Sequence, residues 1–186
     1  MKLIVGLGNP GKGYVDTRHN TGFSCVEYVF KKWNIDAWER KRNVVIGRGV
    51  YLGEEVVLCK PRTYMNNSGI AIDYLLRRFG CSACDIVIIY DDMNLPLGTI
   101  RLRRTGGSGG QNGVGSVIEA LGSENFDRIK VGIGSHPLEQ EPVEYVLSRF
   151  TESENQRLVE AIIPKVGEAL ESLITDGMEF SMNRFN

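Results

Sequence analysis

The segment Asp85-Ile86-Val87-Ile88-Ile89-Tyr90 limits the possible folds of this chain more than any other feature. Its centre is a continuous run of β-branched apolar residues with no polar face, which is typical of a strand buried on both sides of a sheet. The segment Lys2–Leu7, followed by glycine, asparagine and proline, predicts a second buried strand and a loop. Strands of this kind belong to parallel sheets that helices cover on both faces, so the sequence favours an α/β fold.

Helix and strand patterns alternate along the rest of the chain. Apolar spacing and capping residues predict helices at Gly22–Trp33 after a cap at Asn20 or Thr21, from Asn67-Ser68 to Phe79, at Val114–Leu121, and over a long C-terminal segment after the capping box Thr151–Glu154. Further strands are predicted at Val44–Val50, Glu55–Cys59, Thr99–Arg103 and Ile129–Ile133. We therefore expect a single α/β domain over residues 1–186, with a twisted, mixed and mostly parallel β-sheet flanked by helices on both faces.

The composition is that of an ordinary globular protein. Of the 186 residues, 42% are hydrophobic and 24% are charged, which argues against a disordered chain, a coiled coil or collagen. No apolar segment approaches the length of a membrane span, and Met1–Gly6 lacks the features of a signal peptide. These observations predict a cytoplasmic protein that is a monomer or a small oligomer.

The four cysteines form no recognisable metal or disulfide pattern. Cys81 and Cys84 make a single CxxC pair, while Cys25 and Cys59 are isolated. A zinc site would need a second pair of ligands, and the only two histidines are far apart in the sequence. We therefore expect reduced thiols without a chemical role, and neither a metal nor another cofactor.

Charge is distributed unevenly along the chain, although the net charge is only −1. Residues 1–130 contain 18 Lys and Arg against 13 Asp and Glu (+5), whereas residues 131–186 contain 4 against 10 (−6). Because salt screens exposed charges beyond about 10 Å, a local basic patch can hold an RNA on a nearly neutral protein. The asymmetry permits a polyanionic partner, but a solvated basic surface explains it as well.

Gly6-Leu7-Gly8-Asn9-Pro10-Gly11 matches the GxGxxG motif of dinucleotide-binding proteins. In those proteins a helix begins within the glycine loop and directs its N-terminal amides at the pyrophosphate. Here the Asn-Pro-Gly sequence favours turns, and the helix pattern starts only near Thr21. A nucleotide-dependent enzyme is an alternative that this motif alone supports weakly.

Two segments at predicted strand ends carry residues suited to hydrolysis. Asn9–Asn20 follows the first strand and contains His19, and histidine is the commonest residue type in general acid–base catalysis. Asp91 and Asp92 follow the central strand, and a carboxylate there can orient a histidine and stabilise its protonated form. Ligands of open α/β sheets bind at such strand ends, so the pair suggests hydrolysis by a histidine-activated water. A histidine with a purely structural hydrogen bond is the alternative.

Two loops rich in amide side chains and glycine offer substrate contacts. One is Tyr64–Gly69, which contains Asn66, and the other is Gly109–Gly113, which contains Asn112. Asparagine both donates and accepts hydrogen bonds, so it suits a peptide backbone or a developing oxyanion. Basic residues lie on the strands beside the glycine loop: Arg101, Arg103, Arg104, Arg128 and Lys130. They predict either a phosphate cradle or a solvated charged surface.

Together these segments resemble the bacterial-type peptidyl-tRNA hydrolase family. The matching blocks occur in family order between Met1 and about Phe150: Gly6–Gly11 with Tyr14 and Thr17–Asn20, Lys60–Asn66 with Ser68-Gly69, Asp91-Asp92 with Leu95-Pro96 and Gly98, Gly109-Gly110 with Asn112-Gly113, and Val131–Gly134. As a set they are far more specific than any single motif. The resemblance implies one mixed-sheet α/β domain that requires no metal and hydrolyses the ester between a peptide and the 3′ ribose of tRNA.

The resemblance also implies catalytic roles. His19 would take a proton from water as the general base, and Asp91 would orient and stabilise His19. Asn9 would help to distinguish N-blocked from free aminoacyl groups. Asn66 and Asn112 would hold the peptide and its carbonyl group.

The remaining implied roles concern binding of peptidyl-tRNA through its peptide, its 3′ end and its phosphate backbone. Tyr14 and Tyr64 match family positions that line the substrate cleft. Arg103 and Lys130 match basic positions associated with tRNA phosphates. No membrane partner is implied.

The chain departs from the family pattern at three positions. Gln111 stands where the family commonly has histidine, Asn94 where aspartate is common, and Lys130 where arginine is frequent. None of them is the implied base, so the resemblance still implies activity. An RNA-binding relative that has lost hydrolysis is the alternative, and the presence of both His19 and Asp91 argues against it.

Overall fold

The computed structural model describes all 186 residues, and its centre is a sheet of seven strands. The strands are β1 (Lys2–Gly6), β2 (Trp38–Arg40), β3 (Val44–Tyr51), β4 (Glu54–Pro61), β5 (Ile86–Asp92), β6 (Ile100–Arg103) and β7 (Asp127–Gly132). Their order across the sheet is β2-β3-β4-β1-β5-β7-β6. The four central strands are parallel, while β3 and β6 are antiparallel to their neighbours. The predicted mixed sheet with a parallel centre is confirmed.

Helices cover both faces of this sheet, as predicted. They are α1 (Thr21–Lys32), α2 (Ser68–Phe79), α3 (Asn112–Leu121), α4 (Pro142–Leu147), α5 (Glu152–Arg157), α6 (Ile163–Asp176) and α7 (Met178–Phe185). One apolar core, which includes Val87 and Ile89, packs against α1, α6 and α7. A second core, which includes Ile86 and Ile88, packs against α2 and α3 on the opposite face. No helix has the length and apolarity needed to cross a lipid bilayer.

The central strand β5 is buried along its whole length. It lies between β1 and β7, and all seven of its residues are buried. Because its residues alternate between the two cores, neither side of the strand meets solvent. The prediction of a strand covered on both faces is confirmed, and the strand extends through Asp91 and Asp92, so both carboxylates lie at its carboxyl end.

Two local predictions differ from the structure. Asn20 occupies the N-cap position of α1, but its side chain makes no capping hydrogen bond, because it binds another loop. The capping box of Thr151 and Glu154 is present, but the helix is interrupted by a π-helical turn at Leu158–Ile162. Pro164 follows this turn and has no backbone N–H with which to continue a regular ladder. The short elements β2, α4 and α7 were not predicted.

The start of α1 packs directly on the ends of β1 and β5. A Cβ atom at Gly22 would lie 2.4 Å from the carbonyl oxygen of Ile89 and 2.6 Å from the backbone nitrogen of Leu7. A Cβ atom at Gly6 would lie 2.1 Å from the carbonyl oxygen of Gly22. Glycine at both positions therefore permits a helix–strand approach that any side chain would block, and it brings the turn before α1 to the edge of the sheet.

We expect Gly22→Ala to lower the free energy of unfolding by about 3 kcal/mol or more, because the new methyl group meets backbone atoms that cannot move aside. Urea denaturation measures this loss. Gly13→Ala is the matched control, since a Cβ atom there has no neighbour within 4 Å, and it should change stability little. Equal stability of the two variants would contradict the proposed packing constraint.

Candidate active site

A cleft lies at the carboxyl edge of the sheet, where the parallel neighbours β1 and β5 end side by side. Its volume is about 380 Å³, and it is formed by these strand ends, the loops before α2 and α3, and helix α4. Six of the predicted site residues line it: Asn9, His19, Tyr64, Asn66, Asp91 and Asn112. Residues from five separate parts of the chain thus meet in one concave site.

The side chains of His19 and Asp91 are hydrogen bonded within this cleft. A 3₁₀ turn, Arg18–Asn20, holds His19, and its Nδ1 lies 2.8 Å from Oδ2 of Asp91, although 72 positions separate the two residues. His19 is 9% exposed and Asp91 is 2% exposed, so water competes little for this bond. Because an ionised carboxylate only accepts, Nδ1 carries the hydrogen and Nε2 keeps its lone pair. A histidine held in this way has the arrangement of a general base.

Asn9 is fixed in the cleft by two other loops. Its backbone N–H donates to Oδ1 of Asn20 at 2.7 Å, and its carbonyl oxygen accepts from Nδ2 of Asn20 at 3.0 Å. Its side-chain oxygen accepts from the backbone N–H of Met65 at 2.8 Å. Because the oxygen of the carboxamide is used, the NH₂ group of Asn9 is the part left to donate to a ligand. Asn20, expected as a possible helix cap and as part of the candidate segment Asn9–Asn20, therefore positions Asn9.

Gln111 contacts the second oxygen of Asp91. Its Nε2 donates to Oδ1 of Asp91 at 3.0 Å, and its Oε1 accepts from the backbone N–H of Val114 at 2.9 Å, which caps α3. Both oxygens of the buried carboxylate therefore have a donor. The sequence marks Gln111 only as a departure from the family pattern, and its position just before the α3 helix pattern was the sole signal of its capping role.

The basic residues near the glycine loop have different surroundings. Lys130 Nζ lies 2.9 Å from Oδ2 of Asp92, so its charge is paired. Arg128 is fully buried and donates to the carbonyl oxygens of Gly107 and Glu124. It therefore has a structural role, and it does not form part of a solvent-facing phosphate site. Arg103 is half-buried, donates to the carbonyl oxygen of Leu102 and forms no ion pair. Arg103 and Lys130 lie outside the lining of the cleft.

Aromatic and apolar side chains form the outer part of the site. Tyr64 lines the cleft, and Tyr14 packs edge-on against it, with ring centroids 6.1 Å apart and an interplanar angle of 72°. Tyr14 therefore packs behind Tyr64 and does not line the cleft itself. Helix α4 supplies an apolar wall that was not predicted from the sequence. It is formed by Pro142, Val143, Val146 and Leu147. Such a wall suits an uncharged group of a ligand.

The cysteines lie away from the cleft. Cys25 and Cys59 are buried in the cores, and burial raises the pKa of Cys25 to about 12 and also raises the pKa of Cys59. Cys81 and Cys84 lie in the turn between α2 and β5. No three His, Cys, Asp or Glu side chains come close enough together to hold a metal ion.

The profile of the family described as Peptidyl-tRNA hydrolase matches residues 3–186. The peptidyl-tRNA hydrolase of Geobacillus thermodenitrificans (strain NG80-2) is 48% identical over 187 residues, and the match covers 100% of both chains. This chain belongs to the peptidyl-tRNA hydrolase family. The family member of Bacillus subtilis (strain 168) is 44% identical over 186 residues, covering 100% of this chain and 98% of the relative. The fold is similar to the crystal structure of peptidyl-tRNA hydrolase from Acinetobacter baumannii, with a TM-score of 0.92, 33% identity, and coverage of 100% and 94% of the two chains.

In this peptidyl-tRNA hydrolase family member, Arg18 ties the turn that carries His19 to the C-terminal part of the chain. Its guanidinium lies between the rings of Tyr145 and Phe150, 4.5 and 4.6 Å from their centroids. Its Nη2 donates to Oε2 of Glu154 at 2.7 Å. Tyr145 belongs to α4 and Glu154 to α5, so one buried cation fixes the turn relative to both helices. Arg18 was expected only as one member of the candidate segment Asn9–Asn20 and of the family block Thr17–Asn20.

The ion pair also sets how stability depends on pH. Partial burial acts to raise the pKa of the Glu154 carboxyl, but hydrogen bonds from Arg18 and Thr151 outweigh burial and hold this pKa below its usual value. A carboxyl whose pKa is lower in the folded than in the unfolded state stabilises the fold above the unfolded-state pKa. That contribution is lost as pH falls through the folded-state pKa.

We expect Glu154→Gln to lower the free energy of unfolding by about 1–2 kcal/mol at neutral pH and by much less at about pH 3. Urea denaturation at both pH values measures the two losses. Glu152→Gln is the matched control, because Glu152 is exposed in the same helical turn and has no ion pair. A loss for Glu154→Gln that does not change with pH would show that the charge of Glu154 is unimportant.

Proposed function

We propose that this protein hydrolyses the ester bond between the peptide and the 3′ ribose of tRNA, in peptidyl-tRNA released prematurely from ribosomes. The observation that carries the proposal is the buried hydrogen bond between His19 and Asp91 in a cleft lined by asparagine side chains. Family membership supports peptidyl-tRNA as the substrate, since the relatives bear that name.

In the proposed reaction, Nε2 of His19 takes a proton from water, and the water oxygen attacks the carbonyl carbon of the ester. The carbonyl oxygen becomes an oxyanion in the tetrahedral intermediate. Collapse of the intermediate breaks the bond to the 3′ oxygen, and the proton on His19 passes to that leaving oxygen. Asp91 stabilises the imidazolium between the two proton transfers. The products are a free peptide and a tRNA with a free 3′ hydroxyl.

Asparagine side chains supply the neutral donors that this reaction needs. Asn9 presents its NH₂ group, because Met65 occupies its oxygen. Asn66 and Asn112 are exposed at the cleft and form no side-chain hydrogen bonds within the protein, so their amides are free to hold the peptide and its carbonyl. We assign Asn9 the additional task of distinguishing N-blocked from free aminoacyl groups. Donors aimed at a developing oxyanion stabilise the transition state more than the neutral ester.

Binding of the tRNA body is assigned to basic residues outside the cleft. Arg103 lies on β6 and has a guanidinium without an ion-pair partner. Lys130 lies on the neighbouring strand β7, opposite Arg101, and pairs with Asp92. Contacts of this kind recognise phosphates and carry little sequence information, which suits an enzyme that must accept many tRNAs. Because ribosomes produce the substrate in the cytoplasm, we propose that the chain acts there, as a monomer and as one catalytic domain over residues 1–186.

We expect His19→Ala to reduce kcat for release of an N-acylamino acid from tRNA by about a hundredfold or more, since a positioned base contributes about 10²–10⁴-fold. Folding and tRNA affinity should change little. His136→Ala is the matched control, because His136 is the only other histidine and lies outside the cleft. Full activity of His19→Ala would overturn the proposed mechanism.

Arg103→Ala should weaken tRNA binding without changing turnover of a short substrate that carries the ester but lacks the tRNA body. Loss of one phosphate contact should also reduce the slope of log K against log salt by about one. Arg77→Ala is the control, since Arg77 is exposed on α2 and pairs with Asp73. Equal losses on the full and the short substrate would refute the phosphate role of Arg103.

A further inference from the structure

Gln111 connects the Asp91 carboxylate to the first turn of α3. We propose that Gln111 is a positioning residue for the reaction: it fixes the orientation of Asp91, and through Asp91 the orientation of the His19 ring. This inference rests on the proposed function, because it gives Gln111 a part in the same hydrolysis. Gln111 lines the cleft, but the role argued here is exerted through Asp91 and needs no contact with the substrate.

Asp91 has two hydrogen-bond donors and almost no contact with water. His19 Nδ1 binds its Oδ2 at 2.8 Å, Gln111 Nε2 binds its Oδ1 at 3.0 Å, and the residue is 2% exposed. A single donor would leave the carboxylate free to turn about its own axis, whereas two donors on different oxygens define its plane. The plane of the carboxylate in turn sets the direction of the His19 ring.

The side-chain amide of Gln111 can point in only one direction. Its oxygen accepts from the backbone N–H of Val114 at 2.9 Å, so reversal of the amide would set two donors against each other there. Reversal would also set its oxygen against the carboxylate of Asp91. The cap of α3 therefore guarantees that the NH₂ group faces Asp91.

The Gln111 side chain carries no charge, and this neutrality also matters for Asp91. A cationic side chain at position 111 would form an ion pair with Asp91 and would reduce the negative potential that stabilises the His19 imidazolium. A neutral amide supplies the second hydrogen bond and leaves the charge of Asp91 to act on His19. Glutamine therefore meets both requirements, orientation and neutrality.

Gln111→Glu tests the donor separately from the helix cap. Glutamate is nearly isosteric and keeps an oxygen acceptor for Val114, but it places an oxygen where the NH₂ group faced Asp91. We expect kcat to fall about ten- to a hundredfold, part of the 10²–10⁴-fold that a base contributes, with KM unchanged. The urea unfolding midpoint should also fall, because the new carboxylate faces the buried carboxylate of Asp91. Gln140→Glu introduces the same charge on the loop before α4 and should leave kcat at the wild-type value.

Combining Gln111→Glu with Asp91→Asn gives a second test, in which the Gln111 substitution should raise kcat and not lower it. In Asp91→Asn, the new amide oxygen faces Gln111 and the new NH₂ group donates to Nδ1 of His19, which moves the ring hydrogen to Nε2 and removes the base. We expect kcat to fall at least about a hundredfold. Adding Gln111→Glu draws the NH₂ group of residue 91 to the new carboxylate and returns its oxygen to His19. The double variant should therefore be about tenfold or more faster than Asp91→Asn alone.

The outcomes separate this inference from the proposed function. Wild-type kcat for Gln111→Glu, or a double variant no faster than Asp91→Asn, would overturn the positioning role while His19→Ala remained inactive. A fall in kcat at an unchanged KM, together with recovery in the double variant, would support it. A residue that only caps α3 would produce neither effect. Activity in His19→Ala would overturn the proposed function itself.

Discussion

The hydrogen bond between His19 and Asp91 depends on the close approach of α1 to the centre of the sheet. Asp91 is fixed at the carboxyl end of β5, and His19 lies in the turn that leads into α1. That turn can reach the strand only because Gly6 and Gly22 let the two backbones pack without side chains between them. The hydrogen bond between these two residues, which are 72 positions apart, therefore depends on the absence of side chains at Gly6 and Gly22. The GxGxxG motif contributes to this packing, and no helix begins within its loop.

Asp91 also contacts two residues, His19 and Gln111, that precede helices on opposite faces of the sheet. The turn that holds His19 leads into α1, and Gln111 directly precedes α3. Helix N-termini carry partial positive charge, so both stabilise a nearby anion. Both helix ends therefore favour negative charge on the Asp91 side chain, which has no Lys or Arg partner. Asp92, which points to the other side of the strand, pairs with Lys130 and has a separate role.

Sequence patterns predicted the parts of this structure that depend on local chemistry. The apolar run of β5 predicted that this strand is buried on both faces. The family blocks contained the six predicted residues that line the cleft. The side-chain partners of Asn20 and Gln111 were not predictable, because a capping residue looks the same in sequence whether or not it binds another loop. Both contacts depend on loop packing across the sheet edge, with partners 11 and 20 positions away. The apolar wall of α4 was missed because this helix is a single short segment with no periodic pattern.

The distribution of charge explains how a nearly neutral protein can serve a polyanionic substrate. At the carboxyl edge, Lys130 is paired with Asp92, so the groups near the ester are mostly neutral donors. Arg103 lies opposite Arg128 in the register of β6 and β7, two residues further from that edge than Lys130, and it has no carboxylate partner. The unpaired positive charge of Arg103 thus lies outside the cleft. An unpaired cation beside the ester would attract phosphate into the cleft itself, and neutral amides avoid that competition while still stabilising an oxyanion.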